Sequence, residues 1–129
     1  MKKRNSISTI VMLSVIILFA PGCSKNGDSI FLPDLSAQWT NKADSNNTFF
    51  FLPAKTNVNT STFDGNENPG DGSAQIHFTG SFTNSKIQFT YDNSSGSKSG
   101  KTFTGTINNT STVMNLNNAD LGNLVLEKK

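Results

Sequence analysis

The sequence predicts an all-β fold, an antiparallel meander of about eight short strands closing into a small barrel or sandwich. Three observations carry this reading. Beyond residue 34, apolar residues recur with a period of two, which places alternate side chains on opposite faces of a strand. The tracts between these runs are rich in Asn, Ser, Asp, Thr and Gly, residues that accept turn geometry. Asn, Ser and Thr together supply 47 of the 129 residues and only 16% of the chain is charged. Long helices, which lean on Glu, Lys, Ala and Leu, are poorly served by such a composition.

Taken in order, the chain opens with a basic start (Lys2, Lys3, Arg4). An apolar stretch over residues 10–20, broken only by Ser14, follows, and then the close Pro21-Gly22-Cys23. That is the three-part plan of a secretory signal. The stretch is far short of the roughly 20 apolar residues that cross a bilayer, and Pro21 cannot continue a helix. Residues 1–22 are therefore read as a signal peptide and residues 23–34 as a short flexible tether. Residues 35–129 form a single β domain, since a chain of 129 residues allows no second one.

Ala20-Pro21-Gly22-Cys23 places the only cysteine of the chain directly after a small residue at the end of the apolar run. The segment resembles the lipobox of bacterial lipoproteins. The resemblance implies that Cys23 receives a diacylglyceryl group, that cleavage occurs just before it, and that its new amino group is acylated. One acyl chain attaches only marginally, each buried methylene contributing about 0.8 kcal/mol, so two or three chains give a lasting hold on the bilayer. In that family an Asp after the cysteine commonly retains the product at the inner membrane. Here Ser24 follows, which implies the outer membrane. Some members of that family that reach the cell surface carry an acidic cluster after the cysteine, whereas Asp28 is the only acid in residues 24–28, so the resemblance implies a periplasm-facing protein rather than a surface-exposed one.

Three strands are expected upstream, around residues 35–39, 48–52 and 57–63. Five more follow, carried by Ile76, Phe78 and Phe82; by Ile87, Phe89 and Tyr91; by Phe103 and Ile107; by Met114 and Leu116; and by Leu124 and Leu126. Residues 83–85, 92–100, 108–111 and 117–123 read as hairpin connections. Residues 78–84 and 103–109 align as an internal repeat, with Gly80 and Gly105 on the parity of the inward residues. A missing side chain there permits a bend or leaves room for a neighbour. A flat meander would expose one apolar row and two unpaired edges, and closure removes both problems. With Trp39 on the first strand and an apolar final strand, the run 35–129 looks like a lipocalin-like small β-barrel. That resemblance implies an interior either filled by side chains or holding a small apolar ligand.

Chemistry is sparse. One cysteine excludes an intrachain disulfide and one histidine excludes a multi-histidine metal cluster. Without the three basic residues of the signal, eight basic and nine acidic residues remain, a net charge of −1. No basic cluster is left to follow a phosphate backbone, so nucleic acid is not an expected partner. His77 lies between Ile76 and Phe78, so alternation turns it outward, where a solvated and isolated imidazole has no catalytic partner. The segment 64–72 carries oxygen side chains at alternate positions and resembles the start of a calcium loop, with Asp64, Asn66, Asn68 and Asp71 as candidate ligands. Phe50 faces opposite to Phe49 and Phe51 and is a candidate apolar contact. Trp39 is expected near one end of any cavity, and the two are the candidate ligand-binding residues.

The reading that follows is a membrane-anchored, non-enzymatic cell-envelope lipoprotein acting as a binding or structural module. Its partners would be the bilayer, through acylated Cys23, and an envelope protein or polysaccharide. The alternative is a lipocalin-like carrier of a small apolar ligand.

Overall fold

A computed structural model describes residues 30–129; Cys23 and the segments read from the sequence as a signal peptide and as the first part of a tether, residues 1–29, lie outside the described residues. Eight strands follow in chain order: β1 (Gln38–Asn41), β2 (Asp44–Pro53), β3 (Thr60–Asn68), β4 (Ile76–Thr83), β5 (Lys86–Tyr91), β6 (Thr102–Ile107), β7 (Val113–Asn118) and β8 (Gly122–Lys128). Each pairs antiparallel with the next, and β1 closes on β8 through Trp39–Lys128, Thr40–Glu127 and Asn41–Leu126. The fold is thus the expected all-β meander, and it is a closed barrel rather than a sandwich. Closure leaves no free sheet edge.

Alternation sorts the side chains as the sequence demands. Phe49 and Phe51 on β2, Phe63 on β3, Phe78 and Phe82 on β4, and Phe89 and Tyr91 on β5 all point inward and are buried. Their rings pack edge-to-face or tilted, with centroids 4.5 Å apart for Phe78–Phe89 and 5.4 Å for Phe51–Phe63 and Phe89–Phe103. Burying each such side chain contributes about 1.5–3 kcal/mol. These rings share the interior with the aliphatic side chains of β5 to β8, among them Ile87, Ile107, Met114, Leu116 and Leu126.

Fitting so many rings into a small barrel requires bare backbone opposite them. A Cβ on Gly65 would run into the edge of the Phe78 ring and lie 2.7 Å from the Phe50 carbonyl oxygen. A Cβ on Gly80 would meet the Phe63 ring and the Gln88 carbonyl. The glycines thus make room for neighbours, one of the two roles expected for Gly80, and Gly65 does the same on β3.

Three elements differ from expectation. Residues 35–37 are not strand: Ala37 turns with φ 77°, and Leu35 folds back as a buried plug whose carbonyl accepts the Trp39 indole N–H at 3.2 Å. Residues 30–34, expected within a flexible tether, lie against the same end of the barrel. Phe31 packs on the core, the Asp34 amide donates to Ser111 Oγ at 3.0 Å, and Lys128 Nζ donates to Asp34 Oδ2 at 2.6 Å. Finally, β3 runs on through Asn68, across half of the segment read as a calcium loop. Residues 30–37 thus strap one end of the barrel, while the connections 42–43, 69–75, 92–101 and 119–121 form the other.

Candidate functional site

The end away from the strap holds the one charged side chain that the barrel buries completely. Glu67 shares the inward parity of Ser61, Phe63 and Gly65 on β3, so the strand carries its carboxylate into the mouth, where it is 0% exposed. Its surroundings match a buried carboxylate. Oε1 accepts from Asn47 Nδ2 at 2.7 Å and from Lys98 Nζ at 2.7 Å; Oε2 accepts from Tyr91 Oη at 2.5 Å and from Lys98 Nζ at 2.8 Å. Burial first, and then the hydrogen bond and negative charge of Glu67, push the Tyr91 phenol well above its ordinary range. The phenol therefore stays protonated and acts as donor.

Lys98 reaches this carboxylate from a short 3₁₀ turn (Gly96–Lys98) in the β5–β6 connection, and its ammonium also stands 5.4 Å from the centroid of the Tyr91 ring. An open recess of about 210 Å³ lies over the network, lined among others by Asn41, Asn47, Lys98, Leu121 and Asn123. Asn47 Oδ1 is buried there with no hydrogen-bond partner. Since burying an unpaired acceptor costs free energy, the mouth offers one amide acceptor beside a neutralised carboxylate–ammonium pair.

On the outer wall at the same end, His77 is half-exposed, as its parity requires, but it is not isolated. Its Nδ1 lies 3.2 Å from Asp92 Oδ2 and its Nε2 lies 3.7 Å from Asp64 Oδ1. Asp92 is gripped in turn by the Ser94 hydroxyl at 2.7 Å and the Ser95 hydroxyl at 2.8 Å, which hold its carboxyl below the usual carboxylate range. Ser95 Oγ also donates to the His77 carbonyl at 3.2 Å. Both hydroxyls thus bind Asp92, and that of Ser95 binds the backbone as well. The cluster braces the loop that carries Lys98.

The residues singled out in the sequence are dispersed. Asp64, Asn66 and Asn68 stand on β3, and successive same-face residues of a strand are about 6.6–6.8 Å apart. Three such donors cannot converge on one ion at calcium–oxygen distances. Asn68 Oδ1 instead accepts from the Gly70 amide at 3.1 Å, and Asp71 Oδ1 from the Ser73 amide at 2.9 Å. The structure thus does not bring the four residues of the expected calcium loop together. Among the described residues no group of three or more His, Cys, Asp or Glu is placed to hold a metal.

Trp39 and Phe50 do not share a site either. Trp39 is 0% exposed, packed edge-on against Phe51 at 6.2 Å, whereas Phe50 is 41% exposed on the outside of β2. They occupy opposite faces of the barrel wall. Glu67 was missed by sequence reading although a signal for it was present, because it continues the inward parity of Phe63 two steps further along the chain.

Compared with protein-family models, curated proteins and solved structures, the chain finds no match.

Proposed function

We propose that this chain is a lipid-anchored, non-enzymatic protein of the bacterial outer membrane, facing the periplasm. In this reading acylated Cys23 holds one end of a rigid barrel at the bilayer. The opposite, Glu67-lined mouth is offered to an envelope protein or polysaccharide. The observation that carries the reading is the polarity of the barrel. The strap of residues 30–37, which leads back toward Cys23, is fastened to Ser111 and Lys128 at one end, while the Glu67–Lys98 network occupies the other.

Two further observations support it. The aromatic packing from Trp39 to Phe103 leaves the interior occupied by the protein's own rings, which weighs against the carrier alternative. The only imidazole is engaged by two carboxylates on the outer wall, and the hydroxyls near it are turned to Asp92, an arrangement without a nucleophile on its base.

Mass spectrometry of the protein extracted from membranes tests the anchor. A diacylglyceryl and an N-acyl group on Cys23 are expected, and an unmodified thiol would overturn it. Titration with an apolar probe tests the body. Trp39 emission should not move, and a saturable shift would restore the carrier.

A further inference from the structure

We infer that the outer face of β2 next to the strap is a bilayer-contact surface, seated on the lipid headgroups so that the barrel stands in a fixed orientation on the membrane. The inference deepens the proposed function and rests on its reading of Cys23 as the anchor point. Phe50 and Leu52 project from β2 away from the core, Leu52 being 64% exposed, and Ile30 and Leu32 of the strap are exposed as well. Leu32, Pro33, Phe50, Leu52 and Pro53 line one groove of about 440 Å³, with Lys55 and Asp34, the latter paired with Lys128, also on its wall. Leu32, Phe50 and Leu52, which line this groove, are three of the five exposed large apolar side chains among the described residues; Ile30 precedes Leu32 by two residues, and Leu121 is at the other end. Exposed apolar side chains gathered on one side mark a contact site rather than scatter.

The length of the preceding segment decides the occupant. Cys23 lies seven residues before Ile30, so a fully extended tether spans at most about 25 Å. An acylated Cys23 therefore keeps the groove close to lipid at an effective concentration on the order of millimolar, where even a weak apolar contact is populated. Phe and Leu side chains with a nearby lysine suit the headgroup–acyl boundary, the rings and branched chains entering the apolar layer and the ammonium meeting lipid phosphates.

The test uses the protein as extracted, in vesicles of phosphatidylethanolamine and phosphatidylglycerol, with Leu52→Trp as reporter. Thr106→Trp, exposed on β6 across the barrel, is the control. Trp39 is sealed in the core and adds a constant background. With lipids brominated in the upper acyl chain, the Leu52→Trp variant should lose roughly half of its added emission, as expected for side chains about 5–10 Å into the boundary, and the Thr106→Trp variant almost none. Equal quenching of the two, or none in either, overturns the contact surface. A blue shift of Leu52→Trp emission that needs no lipid and accompanies a doubled mass would assign the groove to a second copy and overturn it equally.

Mass spectrometry of Cys23 on the same sample keeps the two readings apart. Should the thiol prove free, the anchor reading fails by itself. The thiol, the only one in the chain, is then coupled to a maleimide lipid, and the quenching comparison decides the contact surface independently.

Discussion

Lys98 Nζ stands 2.7 and 2.8 Å from the two carboxylate oxygens of Glu67, bridging the β5–β6 connection to the inside of β3 across the barrel mouth. Glu67 is fully buried, while the Lys98 side chain keeps 29% exposure. Breaking such a pair from one side strands a charge, whereas replacing both partners with apolar groups of similar size is often neutral or stabilising. Lys98→Met should therefore destabilise the barrel by about 3 kcal/mol, the low end for a buried pair because the ammonium is partly in water. Glu67→Leu combined with Lys98→Met should recover most of that loss in urea unfolding. If partner binding disappears in the double variant while stability is kept, the pair serves recognition rather than the fold.

Gly65 gives the sharpest packing test. The Phe78 ring lies where its Cβ would be, and the Phe50 carbonyl closes the other side. Gly65→Ala should cost about 1–3 kcal/mol, as overpacking does. Adding Phe78→Leu, which withdraws the ring edge, should return part of it despite the lost aromatic contacts. A Gly65→Ala protein as stable as the parent would show that the ring has room to move.

The strands from β4 onward were legible because each carries a two-residue beat of large apolar side chains, for example Phe78 and Phe82 or Ile87, Phe89 and Tyr91. The β3 strand was legible only in its first half, expected over residues 57–63 and running from Thr60 to Asn68. Its inward row is Ser61, Phe63, Gly65 and Glu67, so one large apolar residue stands among a hydroxyl, a bare backbone and a charge. Oxygen-bearing Asp64, Asn66 and Asn68 on its outer face imitate a cation loop, although they alternate because a strand alternates. Leu35 misled for the opposite reason: its parity with Trp39 suits a strand, and only the tertiary need to close the barrel end makes it a plug. The Glu67 network was out of reach because Lys98 arrives from 31 residues away, a closure no local spacing displays.

At the strap, the Lys128 ammonium bonded to Asp34 holds the Asp34 carboxyl down, from its ordinary 3.8 to about 2, with Ser36 assisting. A carboxyl whose folded pKa is depressed adds stability that is present above its unfolded pKa and lost as pH falls through the folded one. The Asp34 contribution should thus be constant from neutral pH down to about 4 and vanish by about 2. Because the Asp34 side chain is 60% exposed, it should be small and shrink in salt. The measurement is the melting-temperature gap between the parent and Asp34→Asn. The gap should close between pH 4 and pH 2, and a gap that persists there would place the strap's hold elsewhere.

Neighbouring phenylalanines on β2 should separate fold from surface. Phe51 is buried against Phe63 and Phe78, both at 5.4 Å, while Phe50 is 41% exposed and faces the strap groove. Phe51→Ala removes a ring from a core that cannot close over the space, at about 3–5 kcal/mol. Phe50→Ser forfeits only the part of its burial supplied by the groove, so its cost should stay near 1 kcal/mol or below. Leu52→Ser, more exposed still, should fall within about 0.5 kcal/mol of the parent. Chemical denaturation with a common slope for all three variants checks the order. A Phe50→Ser loss approaching that of Phe51→Ala would mean that the groove is packed by the strap in solution and has no free apolar face. Near-parent stability, with the apolar side chains still exposed, leaves Phe50 and Leu52 contributing little to the isolated barrel and available for a contact outside it.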